Sequence, residues 1–216
     1  GPAGLFGALI LAENGYAPII IDRGDDVSRR AECYDRFKKF GLLDVDSNIQ
    51  FGAGGAGTFS DGKLLTRIND EKIGYVLQRF CDFGAPEEIL VAAKPHVGTD
   101  LLLGIVDKML SRIEELGGKV MYRTRMDGIR ELADGNIALE TTSGEIVASS
   151  VLMAVGHRAR DTYKMLLENG FSIEAKSFSV GVRVEHLRED IDRALYGEQA
   201  GHPALGPAEY TLSDTT

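Results

Sequence analysis

A chain of 216 residues with 44% hydrophobic and 26% charged positions has the balance of a soluble globular protein, one domain or one and part of another. Its formal charge of −9 argues against nucleic acid as a primary partner. No stretch approaches the roughly eighteen apolar residues of a membrane span, and no signal peptide is visible, so no membrane association and a cytoplasmic location are expected.

Gly1, Pro2, Ala3 and Gly4 read as the last four positions of a G-x-G-x-x-G turn, opening a small-residue, apolar helix that runs to Gly15. A buried-type strand, Ala17 to Ile21, follows and is closed by Asp22. In that pattern Gly1 lets the backbone approach a pyrophosphate, Gly4 lets the helix sit tight on the sheet, and the helix N-terminus offers N–H groups to phosphates. Asp22, about twenty residues on, is placed to accept hydrogen bonds from a ribose hydroxyl pair. The alternative is an ordinary strand–helix turn whose glycine serves packing. The strand and first glycine of the full fingerprint would lie before Gly1, so the chain reads as starting inside the motif.

A charged helix is expected over Val27 to Phe40, with Asp26 as N-cap, Gly41 as stop, and Tyr34, Phe37 and Phe40 as its buried stripe. Its remaining charges read as a solvated face. Five glycines then fall within residues 52–62, interleaved with Thr58, Ser60, Asp61 and Lys63. Such a loop suits backbone N–H groups lining a flat or anionic ligand at close range; the alternative is a flexible surface loop. It is not a phosphate-binding P-loop, because Leu64 follows Lys63.

Helix signals return from Asn69 or Asp70 to Phe83, with Gly84 as stop, and at Pro86-Glu87-Glu88. The segment from Lys94 to Asp100 leads into an amphipathic helix from Thr99, its expected N-cap, to Leu116. His96 just before it reads as a loop or packing residue. Cys33 and Cys81 form no C-x-x-C pair and read as reduced structural residues on helices. From Lys119 the period becomes two, with Val120, Tyr122 and Thr124 alternating. Turns at Asp134-Gly135 and Ser143-Gly144 then define a three-stranded antiparallel meander.

The meander empties into Val151–Val155, an apolar run of the buried parallel type that ends at Gly156. A helix from Ala159 to Asn169, a strand over Phe171–Val184 with Ser179, Gly181, Arg183 and Glu185 on its polar face, and a helix from Leu187 to Tyr196 complete the expectation.

The strings GPAGLFGALILAENG, FGAGGAGTFSDGKL, KPHVGTD, VLMAVGHRARDTY and FSVGVRVEH, in this order, resemble the uncharacterised FAD-dependent dehydrogenase group of the glutathione-reductase-like flavoproteins. The resemblance implies an α/β fold: a Rossmann-like FAD-binding domain, parallel sheet plus three-stranded meander, over residues 1–170 with its first strand missing. Residues 171–216 would begin a second, substrate or cap domain. By motif, Gly1, Ala3 and Gly4 would face the FAD pyrophosphate, Asp22 the adenosine ribose, and Arg23 the adenine side. Gly54, Gly55, Ala56, Gly57 and Thr58 would run beside the pyrophosphate, ribitol and ring. Met126 would read adenine through its backbone, and Ala154 and Gly156 would close over the cofactor.

The implied activity is flavin-mediated hydride transfer on a small-molecule substrate, with NAD(P)H an open candidate for electron donor. Ser60, Lys63 and His157 are the candidates for tuning the flavin or moving a proton, and for His157 the alternative is a solvated loop residue. Arg158 and Arg160 stand as anion-binding or helix-starting residues. Two other readings stay open: an NAD-binding dehydrogenase, disfavoured by the meander, and a fragment too incomplete to hold cofactor by itself.

Overall fold

The computed structural model describes residues 1–59, 62–64, 66, 68–92, 94–178, 180–182 and 184–210. They form an α/β structure with a two-stranded parallel sheet and a three-stranded antiparallel sheet. Backbone contacts divide it into two units, Gly1–Ile173 and the residues from Glu174 onward.

In the first unit, helix α1 (Pro2–Glu13) leads into strand β1 (Ile19–Ile21), and β1 pairs in parallel with β2 (Lys119–Met121), Ile20 opposite Val120. Helix α4 (Thr99–Glu115) precedes β2. Leu5, Leu9 and Ala12 of α1 share one core with Ile105, Met109 and Ile113 of α4 and with Phe80 of helix α3 (Ile73–Asp82). The expected amphipathic pattern holds: Leu102, Ile105, Val106, Leu110 and Ile113 form the buried stripe of α4, Met109 joins them, and Leu116 just past its end is only partly buried. Gly98, not Thr99, is its N-cap, and no side chain caps it.

Helix α2 (Val27–Phe40) has the expected ends. Asp26 accepts a hydrogen bond from Arg29 N at 3.0 Å, and Gly41 closes the helix in the left-handed region at φ +70°. Its buried face differs from the expected stripe. Phe37 and Phe40 remain 43% and 63% exposed, whereas Val27 and Arg30 are buried, Arg30 completely. The first turn is the part of α2 that faces the protein, and the apolar residues near its C-terminal end run out past the core.

Strands β3 (Met126–Glu131), β4 (Ile137–Thr141) and β5 (Gly144–Ala148) make the antiparallel meander, with a register shift between Met126 and Gly128. Helix α5 (Arg160–Glu168) covers it through Leu166, against Ile129 and Leu139. The run Val151–Val155 is not a strand. It keeps a strand's alternation: Val151 and Met153 pack toward the meander, Leu152 and Ala154 toward Gly7 and Gly4 of α1. No described strand lies beside it to take its backbone hydrogen bonds, so the apolar pattern alone makes no ladder.

From Glu174 onward, helix α6 (Arg188–Tyr196) is the main element, and the described residues of 171–184 are irregular instead of a strand. An alternating pattern without a partner strand does not hold a ladder; Phe178, Val180 and Val182 are left 85–89% exposed. Ser179 and Arg183 lie outside the described residues. No described helix is long and apolar enough to cross a membrane.

Candidate functional site

The site begins at the N-terminus of α1. Proline at the first helical position costs no hydrogen bond, because the first N–H groups of a helix have no intrahelical acceptor. The first bond of α1 runs from Leu5 N to Gly1 O at 3.1 Å, which leaves the N–H groups of Ala3 and Gly4 without an acceptor among the described residues. No acidic side chain occupies this first turn. The dipole end is therefore not compensated by an acidic side chain of its own first turn. Close packing falls on Gly7 and not on Gly4. A Cβ at Gly7 would lie 2.6 Å from Leu152 Cδ2, whereas one at Gly4 would meet Ala154 Cβ at an ordinary 3.5 Å.

Asp22 follows β1. Its N–H donates to Met121 O and its carbonyl accepts from Thr124 N, both at 2.9 Å, and Oδ1 accepts from Gly24 N at 2.9 Å. Oδ2 is left facing Gly52, where an added Cβ would stand 3.2 Å away. Arg23 is held by Asp161 of α5 at 2.5 Å and lies 3.8 Å from Asp46.

The glycine loop is folded around Arg30. Its Nε and Nη2 donate to Asn48 O at 3.2 and 3.0 Å; Nη1 donates to Ala53 O and Nη2 also to Phe51 O. The guanidinium also stacks 4.9 Å from the Phe59 ring centre. Burial lowers its pKa, and the Asp22 and Tyr122 charges oppose that shift. The same neighbourhood, burial first and the Asp22 charge next, pushes the Tyr122 phenol up to about 12. No described carboxylate forms an ion pair with Arg30.

Gly52, Gly54 and Gly55 take φ of +91°, +75° and +72°, which side chains adopt at a cost. Gly55 N donates to Gly52 O at 2.7 Å, and a Cβ at Gly55 would lie 2.7 Å from Pro2 Cδ. The loop thus rests on the first residue of α1. Gly1, Ala3, Gly4, Asp22, Gly54, Gly55 and Ala154 come together around this junction, with the exposed Ala56 and Gly57 beside them in a short 3-10 turn over Ala56–Phe59. Thr58 in that turn is completely buried. Its hydroxyl packs on Gly54 with no hydrogen-bond partner among the described residues.

The remaining candidates spread further. Lys63 is exposed and bridges to His96, where Leu64 N meets Pro95 O and Val97 N meets Gly62 O at 2.9 Å. Met126 opens β3 and packs against the meander core. Gly156, at φ +75°, accepts the Tyr163 hydroxyl at 2.9 Å. His157 stands exposed in the turn before α5 without a hydrogen bond among the described residues, and no described contact joins it to Lys63. Ser60 lies outside the described residues. Beside the loop, Arg123, the one described non-glycine residue at positive φ (+50°), grips Asp25 and Asp44 and so fills the space between carboxylates that, with Cys33, approach within 4.8 Å.

Arg30 is the residue that the charge pattern of α2 concealed. Its signal was present: Val27, Arg30, Tyr34 and Phe37 fall on one helical stripe by i, i+3, i+4 spacing. The stripe by itself does not fix burial, because Phe37 on it stays exposed while Arg30 is buried by the loop carbonyls of Asn48, Phe51 and Ala53.

Hollows also lie elsewhere among the described residues. An apolar groove of about 390 Å³ is lined by Leu64, Ile68, Ile73, Val76, Leu77 and Phe80, and includes no candidate residue. Among the residues from Glu174 onward, a more polar hollow of about 510 Å³ contains Arg188 and the pair His186–Tyr210, whose Nδ1 and hydroxyl are 2.5 Å apart.

Comparison with known proteins places residues 177–216 in a match to the family described as FAD-dependent protein, C-terminal domain-like. A protein of Clostridium beijerinckii, described as an uncharacterized protein, is 45% identical over 214 residues, which is 99% of this chain and 40% of the relative. The chain thus spans about two fifths of the length of the curated relative it matches, and its C-terminal segment is similar to part of an FAD-dependent family.

Proposed function

We propose that this chain is the dinucleotide-holding part of an FAD-dependent oxidoreductase that transfers hydride between a small-molecule substrate and flavin. In this reading residues 1–170 are a Rossmann-like FAD-binding domain and residues 171–216 begin a substrate or cap domain. The observation that carries it is the seat of Gly55 on Pro2, which brings the glycine loop onto the free end of α1 with Asp22 at its edge.

The residues fit the cofactor. The acceptor-free N–H groups of Ala3 and Gly4 suit the pyrophosphate, and Asp22 Oδ2, turned from Gly24, suits a ribose hydroxyl pair. When bound, the flavin supplies a two-electron acceptor for hydride. Gly1, Gly54, Gly55, Ala56 and Gly57 then orient the dinucleotide by backbone approach, the buried Thr58 supports their loop from beneath, Arg23 and Met126 border the adenosine half, and Ala154 and Gly156 border the other wall. His157, Lys63 and Ser60 are the candidates for holding or moving a proton. The family match over residues 177–216 supports the FAD assignment independently of the α1 geometry.

The full natural chain, purified without added cofactor, is expected to carry yellow flavin absorbance that the substrate or NAD(P)H bleaches under anaerobic conditions. A colourless protein that binds nicotinamide dinucleotide and not FAD overturns the reading.

A further inference from the structure

The guanidinium of Arg30 is completely buried and forms no ion pair with a carboxylate among the described residues, although the Asp22 charge acts on it. Burying a cation is costly unless hydrogen bonds replace its hydration. Here three carbonyls of one loop do so: Asn48, Phe51 and Ala53. In a planar trans peptide the C=O and the next N–H point in opposite directions. Turning Phe51 O and Ala53 O onto Arg30 therefore turns the N–H groups of Gly52 and Gly54 away from it. Neither N–H has an acceptor among the described residues. Gly52 itself is confined between Arg30 and Asp22, since a Cβ there would stand 3.2 Å from Arg30 Cζ and Asp22 Oδ2 alike.

We propose that Arg30 is the positioning residue of the glycine loop: it draws the loop carbonyls inward, presents the Gly52 and Gly54 N–H groups outward to an anionic dinucleotide, and keeps Gly55 seated on Pro2. The inference deepens the reading of this cleft as an FAD site and rests on it. Lysine is no substitute. It keeps the charge, but its single ammonium lacks the planar fork that reaches three separated carbonyls.

The test compares the wild type with Arg30→Lys and Arg30→Ala in the full natural chain. It uses two readouts: FAD affinity by flavin fluorescence, and hydrogen exchange of the Gly55 amide in the apo protein. Arg30→Lys is expected to melt cooperatively, to weaken FAD binding at least tenfold and to speed Gly55 exchange by a similar factor. Ethylguanidinium, at concentrations far below denaturing and against a potassium chloride control, is expected to restore both readouts in Arg30→Ala. If Arg30→Ala fails to fold, Arg30→Lys carries the comparison alone. A folded Arg30→Lys with wild-type FAD affinity and wild-type Gly55 exchange overturns the role of Arg30 and leaves the flavin reading standing. A wild type that binds no FAD overturns the flavin reading, and the Gly55 exchange, which needs no ligand, then judges Arg30 separately.

Discussion

Asp22 divides its two carboxylate oxygens between fold and cleft. Oδ1 accepts the Gly24 N–H, and Oδ2 faces Gly52 and Arg30. Hydrogen bonds to a charged group contribute about 1.5–3 kcal/mol, so Asp22→Ala is expected to weaken FAD binding by roughly 10–100-fold, measured by flavin titration. The neighbouring carboxylates answer to acid instead. Hydrogen bonds from Arg123 hold Asp25 and Asp44 below the usual carboxylate range.

A depressed folded-state pKa adds stability that is present above the unfolded value of about 3.9 and is lost as pH falls through the folded one. Thermal melts across this acid range are expected to fall more steeply in the wild type than in Arg123→Met, which starts lower. Parallel curves count against this role of the ion pairs. At this scale the sequence showed Asp22 through its distance from Gly1, but it did not distinguish Arg30 from its exposed neighbour Arg29. Which arginine is buried depends on a loop some twenty residues away.

Among the elements, two glycines of similar crowding are expected to behave differently. An alanine at Gly55 meets both a left-handed backbone, which costs about 1–2 kcal/mol for a residue with a side chain, and Pro2 Cδ at 2.7 Å. Gly55→Ala should lower the denaturation midpoint and loosen flavin binding together. An alanine at Gly7 meets only the tip of Leu152, a side chain 64% exposed and free to move. The helix gains up to about 1 kcal/mol from losing a glycine, so Gly7→Ala is expected to be neutral or slightly stabilising in the same denaturation assay.

The ends of α2 were legible for a local reason: Asp26 and Gly41 act within one turn of their own backbone. Val151–Val155 was not, because a ladder needs a partner strand that composition does not supply.

For the whole molecule, every buried apolar side chain among the described residues lies within Gly1–Ile173. The described residues from Glu174 onward bury none, and segments without a core do not offset the entropy of ordering. Limited chymotrypsin digestion of the apo chain is expected to cut first after the 85% exposed Phe178 and to leave an N-terminal product with the melting behaviour of the intact chain. Early cuts at Phe6 or Phe80 instead would show that the α1–α4 core is not the stable part.

The sequence alone determined the caps of α2, the amphipathic α4, the meander with its turns, and the two glycine-bearing segments with Asp22, since each depends on residues a few positions apart. Only the tertiary structure decided that Gly55 sits on Pro2, that Arg30 is the buried hub of the loop, and that Val151–Val155 packs without pairing. These arrangements join segments tens of residues apart, where burial and the fate of backbone hydrogen bonds are set by the partner and not by the local pattern.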